Sequence, residues 1–199
     1  MSMRAERRSG DLGDPGAAAW ADAETVTVAL GPIALEAQPT EYIRVKWADR
    51  PYGTVPEVRV AAAHDGRRLA VRLEWEDSAT PNTEFPDAGA VYFPTGGDAP
   101  VATVGSPDAP VHLWYWQADL ADARSLEGRG PGVFRPTGTD RVAAAAALDG
   151  GHWAVVLMGE LGDAGAGAAR VGVAVWDGAN EERAGLGAVS SEWISLEVV

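Results

Sequence analysis

Apolar and polar residues alternate with a period of two in several separate parts of the chain. ETVTVAL (24–30), EYIRVKW (41–47) and EWISLEVV (192–199) each place apolar residues at every second position or close to it. This period is typical of a β-strand with one buried face. We therefore predict strands in these three segments.

Two Asp-Gly pairs predict tight hairpin turns, because glycine readily adopts the positive φ such turns require. Asp65-Gly66 leads into a strand with Leu69, Val71, Leu73 and Trp75 on one face, and Asp149-Gly150 leads into a second strand that carries Trp153. VAAAAAL (142–148) has the composition of a helix, but it is short, uncapped and ends at the second turn. We predict a strand with small side chains there.

These patterns, with 24 glycines and 13 prolines in 199 residues, favour a turn-rich all-β protein. We predict an antiparallel β-sandwich of about nine to eleven strands. Residues 1–22 are polar and rich in Gly and Ala, so they are predicted to form a loose N-terminal segment, with a single sandwich domain over 23–199.

Charge and composition narrow the possible partners and cofactors. The formal net charge of −13 would repel a phosphate backbone, so nucleic acid is not expected as a partner. The chain has no cysteine, which excludes disulfides, thiolate-ligated iron–sulfur clusters and covalently attached c-type haem. A stretch of the roughly 20 apolar residues that span a bilayer is absent from the sequence, so no transmembrane segment is expected.

The stretch from Asp87 to Asp119 is the strongest candidate for a ligand site. DAGAVYFP and PVHLWYWQAD are aromatic-rich strand patterns that flank a Gly/Pro-rich loop over 95–110. Tyr92, His112, Trp114 and Trp116 are its candidate cofactor contacts, although aromatic residues in a sandwich also serve as ordinary core.

The other candidate donors lie outside this block. Met158 follows an apolar strand and could be either core filler or a metal ligand. His64 and His152 lie beside the two hairpin turns and are expected to be exposed. Glu74, Glu76 and Asp77 alternate with Trp75 at a strand end, as in a solvated sheet edge.

Five strings in a fixed order resemble a known family. RLEWED, DAGAVYFP, PVHLWYWQAD, DGGHWAVVLMGEL and VAVWDGANEERAG, over about residues 40–199, are similar to the haem b-binding gamma subunits of type II dimethyl sulfoxide reductase-family molybdoenzymes, of which the ethylbenzene dehydrogenase gamma subunit is the type.

The resemblance implies a sandwich related to the cytochrome domain of cellobiose dehydrogenase, with haem b held at one end. It also implies a complex with a molybdopterin-containing alpha subunit and an iron–sulfur beta subunit. In such a complex the gamma subunit is not catalytic and relays electrons between the iron–sulfur subunit and an external carrier.

The expected haem ligands of the family are a methionine in the loop over 95–110 and commonly a lysine near 142–148. Here the loop offers Val101, Thr103, Val104 and Ser106, and the strand offers alanines, so His112 and Met158 become the candidate axial ligands.

Three functions remain open from the sequence. They are a haem b electron-transfer gamma subunit with altered ligands, a haem-less gamma subunit that caps the iron–sulfur subunit, and a carbohydrate-binding sandwich module. We expect a cytoplasmic location, because the N-terminus lacks an apolar signal-peptide run. The alternative is a periplasmic location reached by export together with a partner.

Overall fold

The computed structural model describes residues 1–77, 84–138, 142–164 and 168–199, and these form an antiparallel β-sandwich with one short α-helix. The described residues contain 13 strands, two more than the upper end of the predicted range. The strands are β1 Ser2–Arg7, β2 Thr25–Pro32, β3 Glu57–His64, β4 Arg68–Glu76, β5 Ala88–Pro94, β6 Val111–Gln117, β7 Arg124–Gly128, β8 Phe134–Pro136, β9 Ala143–Asp149, β10 His152–Glu160, β11 Ala168–Trp176, β12 Ala188–Ser190 and β13 Ile194–Val198, and the helix is α1 Glu41–Lys46.

Two sheets form the layers of the sandwich. Sheet A has the order β9-β10-β4-β3-β2, and sheet B has the order β8-β7-β6-β5-β11-β12, with β12 also paired to β2. The strands β1 and β13 add a second connection, since β1 pairs with β3 and β13, and β13 pairs with β11. The sheets are therefore joined through these strands, whereas β9 and β8 end the two sheets as edge strands.

Both predicted hairpins are present. The strands β3 and β4 pair across Asp65-Gly66, and β9 and β10 pair across Asp149-Gly150, with positive φ at Gly66 (96°) and Gly150 (58°). The alanine-rich segment forms the strand β9, so the prediction of a strand over 142–148 is confirmed.

Apolar residues cover both faces of both sheets and form three clusters. The inner cluster lies between the sheets, because its members come from β3, β4 and β10 on one side and β5, β6 and β11 on the other. The outer cluster of sheet B lies under the loop over 95–110. The outer cluster of sheet A lies under the N-terminal segment and contains Leu12, Trp20 and Met158.

The segment 41–47, predicted as a strand, forms α1 and its C-terminal cap instead. The Thr40 hydroxyl accepts the amide N–H of Ile43 at 3.3 Å and so caps the helix, and Trp47 donates its N–H to the Ile43 carbonyl at 3.0 Å. The alternating residues fit a helix as well, because Ile43 and Trp47 are four apart and share one face. Tyr42 and Val45 then point to solvent, at 70% and 71% exposure.

The N-terminal segment, predicted to be loose, contributes a strand. β1 runs parallel to β13 and β3, with Met3 opposite Leu196 and Ala5 opposite Ala62. Met3 and Ala5 are buried in the inner cluster. Only two apolar residues point inward from this strand, so its sequence carries little periodic signal, and pairing with distant strands fixes it.

Gly159 permits a close approach between the two sheets. It lies on β10, and a Cβ atom there would come within 2.5 Å of Cζ2 of Trp114, which is fully buried. We expect Gly159→Ala to lower the free energy of unfolding by about 1–3 kcal/mol, because the indole has no space into which it can move. Urea unfolding of the purified chain measures this change.

The matched control is Gly31→Ala on β2, where a Cβ would have no atom within 4 Å and φ is not positive. This variant should be as stable as the parent or slightly more stable. Equal stability of the Gly159→Ala variant and the parent would show that the sheets can separate locally at no cost.

Candidate functional site

The block from Asp87 to Asp119 folds into the hairpin of β5 and β6 in the middle of sheet B. Val91 lies opposite Trp114, and Phe93 lies opposite His112. Successive side chains alternate between the two faces of the sheet. Trp114 and Trp116 belong to the inner cluster, whereas Tyr92 belongs to the outer cluster of sheet B.

The loop over 95–110 is held against the outer face of sheet B. The Tyr92 hydroxyl donates to the Val101 carbonyl at 2.9 Å, and the Trp193 indole N–H donates to the Ala99 carbonyl at 3.1 Å. Ala99, Val101 and Val104 are the buried members of this loop in the cluster. The loop therefore presents hydrocarbon at these buried positions, and none of the three can ligate a metal.

His112 is half-buried and faces the neighbouring strand β7. Its Nε2 lies 2.7 Å from the Ser125 hydroxyl, and the Thr137 hydroxyl lies 2.8 Å from the same oxygen. The ring is thus engaged in a hydrogen-bonded group between β6, β7 and the residue after β8. This arrangement supports the interpretation of His112 as a hydrogen-bonded packing residue.

Met158 lies in a different layer of the protein from His112. It packs with Val156, Leu12 and Trp20 on the outer face of sheet A. Tyr92 lies in the outer cluster of sheet B, with the inner cluster between the two. Burial raises the pKa of Tyr92, so its hydroxyl stays protonated and serves as a hydrogen-bond donor.

The tryptophans of the inner cluster pack against one another at one end of the sandwich. The Trp116 ring lies 4.9 Å from that of Trp153 and 6.2 Å from that of Trp75, measured between ring centroids. Trp114 packs edge-on against Phe93 at 4.9 Å. Trp114 is fully buried, and its indole N–H has no acceptor among the described residues.

The described residues do not fit a haem with two axial protein ligands. The five candidates fall in three separate layers, and His112 and Met158 do not face a common space. The remaining nitrogen and sulfur donors are also dispersed. Lys46 is on α1 and His152 is exposed on β10, while Met3 is buried in the inner cluster.

His64 was predicted to be exposed, but it is only 7% exposed. Its Nδ1 accepts the Gly66 N–H at 3.1 Å, so Nε2 carries the hydrogen and donates to the Val199 oxygen at 2.8 Å. The reason is the parallel pairing of β1 beside β3, which covers this end of the hairpin. His152 is exposed, as predicted.

A buried carboxylate, which the sequence reasoning missed, organises the end of the sandwich near the tryptophans. Asp87 is 2% exposed, and it accepts the Gly178 amide N–H at 2.8 Å and the Trp153 indole N–H at 3.2 Å. These bonds join β5 to β10 and to the turn after β11. Burial raises the pKa of Asp87 to about 6, and the nearby Asp77 carboxyl adds to the shift.

Glu182 is the second buried carboxylate of this region. It accepts the amide N–H groups of Thr54 and Asp177, both at 3.1 Å, and burial raises its pKa. The side chain thereby fixes the segment that precedes β3 against the turn after β11. Asp87 and Glu182 belong to DAGAVYFP and WDGANEER, two of the strings that carry the family resemblance. Their position in these strings, each next to a predicted strand, was the signal from which the sequence could have singled them out.

An acidic cleft of about 560 Å³ opens beside these carboxylates at the end of β4. Glu74, Glu76, Asp77 and Asp177 line it together with His152. β4 pairs with both β3 and β10, so the predicted sheet edge at Glu74–Asp77 is wrong. The described residues contain no group of three or more His, Cys, Asp or Glu side chains suited to a metal ion.

The raised pKa of Asp87 predicts a specific dependence of stability on pH. The folded state holds this proton up to about pH 6, whereas an ordinary aspartate releases it near 3.8. The contribution of Asp87 is therefore fully present below about pH 4 and is lost as the pH rises through 6. The difference in unfolding free energy between parent and Asp87→Asn should fall over this range in urea titrations.

Asp65→Asn is the control with the opposite sign. Hydrogen bonds from the amides of Arg68 and Arg67 lower the pKa of Asp65, so its contribution is lost as the pH falls below about 3.8. A parent-minus-variant difference that is flat for Asp87→Asn between pH 4 and 6 would contradict the raised pKa.

Comparison with known proteins places the chain among subunits of oxidoreductase complexes. The model of a family described as ethylbenzene dehydrogenase matches residues 17–130. Chlorate reductase subunit gamma of Ideonella dechloratans is 35% identical over 94% of this chain and 80% of its own length. Dimethylsulfide dehydrogenase subunit gamma of Rhodovulum sulfidophilum is 30% identical over 68% of this chain and 58% of its own.

A third relative is named as a heme subunit and not as a gamma subunit. The ORF7 protein of Haloferax mediterranei, named as a heme subunit of a respiratory nitrate reductase, is 33% identical over 76% of this chain and 62% of its own length. The name assigns haem to that protein.

Two solved structures share the fold. Both are a family 9 carbohydrate binding module from Caldicellulosiruptor kristjanssonii, one with glucose and one with cellotriose, with TM-scores of 0.55 and 0.52. Each alignment covers all of this chain and 96% or 93% of the other, at 11% or 12% identity. At this identity the likeness shows the fold alone, and it confirms the predicted sandwich.

Proposed function

Because this chain belongs to the ethylbenzene dehydrogenase family and is a gamma subunit of the type II dimethyl sulfoxide reductase group, we propose that it assembles with a molybdopterin-containing alpha subunit and an iron–sulfur beta subunit. Two relatives are named as gamma subunits of a chlorate reductase and of a dimethylsulfide dehydrogenase. We infer that this chain is likewise a non-catalytic subunit of a multi-subunit enzyme. Among the described residues no helix is long and apolar enough to cross a membrane.

Within that complex we assign the chain a structural role, as a haem-less cap on the iron–sulfur subunit. One observation carries this assignment. The candidate ligands lie on different sheets: Met158 is buried in the outer cluster of sheet A, and His112 on sheet B is hydrogen-bonded to Ser125 of β7. The buried residues of the loop over 95–110 are Ala99, Val101, Val104 and Gly105, and none of their side chains can ligate iron. Among the residues that the structure describes, no two such donors face one space in which they could hold an iron between them.

Electron transfer through haem b is the second candidate function. It is favoured by the name of the Haloferax mediterranei relative, which is that of a heme subunit. In that role the chain would relay electrons between the iron–sulfur subunit and an external carrier. His112 would be the first donor to consider, because its half-buried ring lies at the loop-facing end of β6.

Haem content of the assembled enzyme separates the two roles. We expect the chain, expressed together with its alpha and beta subunits, to purify with both of them and to yield no b-type signal in the pyridine haemochromogen spectrum. Iron–sulfur absorbance of the same sample is the internal control that the complex is loaded.

The variants His112→Ala and Met158→Leu complete this test. Under the structural role both complexes should match the parent in yield and in spectrum. One haem b per chain in the parent complex, lost in His112→Ala, would replace the structural role with electron transfer. Failure of the chain to purify with either subunit would overturn both roles.

A further inference from the structure

The two edge strands of the sandwich differ in how they guard against pairing with another chain. β8 at the edge of sheet B has three residues and ends in Pro136, which has no N–H to donate. β9 at the edge of sheet A has seven residues, Ala143–Asp149, without proline and with no charge before its last residue. Short strands, proline and charge are the usual protection of an edge, so β8 is protected and β9 is not.

β9 is also unusually exposed for its composition. Six of its seven residues are apolar, yet only Ala144 and Ala145 are half-buried and the other five are exposed, with Leu148 at 39%. Within the described residues β10 is its only strand partner. The backbone groups along its outer side therefore form a row of donors and acceptors for an extended segment.

A groove of about 500 Å³ runs along the outer face of this edge. Ala143–Ala147 line one side, Val156 and Met158 lie at its base, and Asp11 and Asp14 of the N-terminal segment line the other side. Arg68 also lines the groove, and its charge is paired with Asp65 at 3.2 Å. Local amide N–H groups of Gly13 and Gly16 bind the two carboxylates at 2.9 and 2.8 Å and hold them in place. The groove is thus apolar at its base and acidic at its rim.

We propose that β9 is a docking edge to which an extended segment of a partner subunit adds as a further strand. The groove fits large apolar side chains on that segment, since the alanines leave space beside β9. The acidic rim and the net charge of −13 favour a segment that also carries basic residues between its large apolar side chains. The identity of the partner rests on the proposed function of the chain as a gamma subunit.

A second copy of this chain fits the edge poorly. Pairing of β9 with itself would set alanine against alanine and leave the groove unfilled. The small side chains of β9 leave the groove empty. A strand from another protein, with large apolar side chains, would fill it.

The register with β10 tells which substitutions block docking without disturbing the core. Trp153, Val155 and Leu157 of β10 belong to the inner cluster and lie opposite Leu148, Ala146 and Ala144. Ala145 and Ala147 therefore point to the outer, groove-lined face. Lysine at both positions extends into solvent and opposes a basic segment while leaving the pairing with β10 in place.

Hydrogen exchange of the parent chain, free and in complex with its alpha and beta subunits, tests the edge directly. We expect the β9 amides to gain at least about tenfold protection in the complex. Ala145→Lys combined with Ala147→Lys should weaken co-purification by about tenfold or more, with urea midpoints near the parent value. Ala121→Lys, at an exposed alanine in the turn after β6, is the matched control and should assemble as the parent does.

The outcomes separate this proposal from the proposed function. A complex that forms with unprotected β9 amides overturns the docking edge and leaves the gamma-subunit role intact. If the β9 amides of the free chain become more protected as the concentration of the chain rises, the edge pairs with a second copy. That result overturns the proposal that a partner subunit supplies the added strand. If the complex does not form at all, both proposals fail.

Discussion

Burial of both faces of both sheets is the constraint on which the rest of this structure depends. Each sheet contributes one face to the inner cluster and needs a second cover on its outer face. The loop over 95–110 covers sheet B, and the N-terminal segment with Leu12 and Trp20 covers sheet A. These segments have no regular strand pattern, and their buried apolar residues hold them in place.

The same constraint explains how the few buried polar groups are placed. Asp87 lies where the sheets meet the turn after β11, and it is tolerated there because Trp153 and Gly178 donate to it. Glu182 does the same for the segment before β3. Both carboxylates connect distant parts of the chain at the end of the sandwich that also holds the cluster of Trp75, Trp116 and Trp153.

The shared fold of the family depends on many buried residues, whereas haem ligation depends on very few. Dozens of buried apolar positions and the buried acids Asp87 and Glu182 maintain the frame of this chain, which is 30–35% identical to the gamma subunits. Haem ligation depends on two donor atoms that face one space. In this chain each candidate ligand has a separate structural contact. His112 is hydrogen-bonded to Ser125, and Met158 packs in the same outer cluster as Trp20. In the described part of the chain, the sandwich frame is therefore present without two candidate donors that face one space.

The sequence by itself determined the fold class, the two Asp-Gly hairpins and the family, because alternation, turn residues and short strings are local. It failed at 41–47, where the Thr40 cap selects a helix, and at 2–7, where pairing with β13 and β3 makes the strand.

Only the tertiary structure decided that Met158 and His112 lie in different layers and that β9 has an open edge. Both facts depend on which distant strands pair and on what covers them. Those non-local contacts are absent from any short window of sequence.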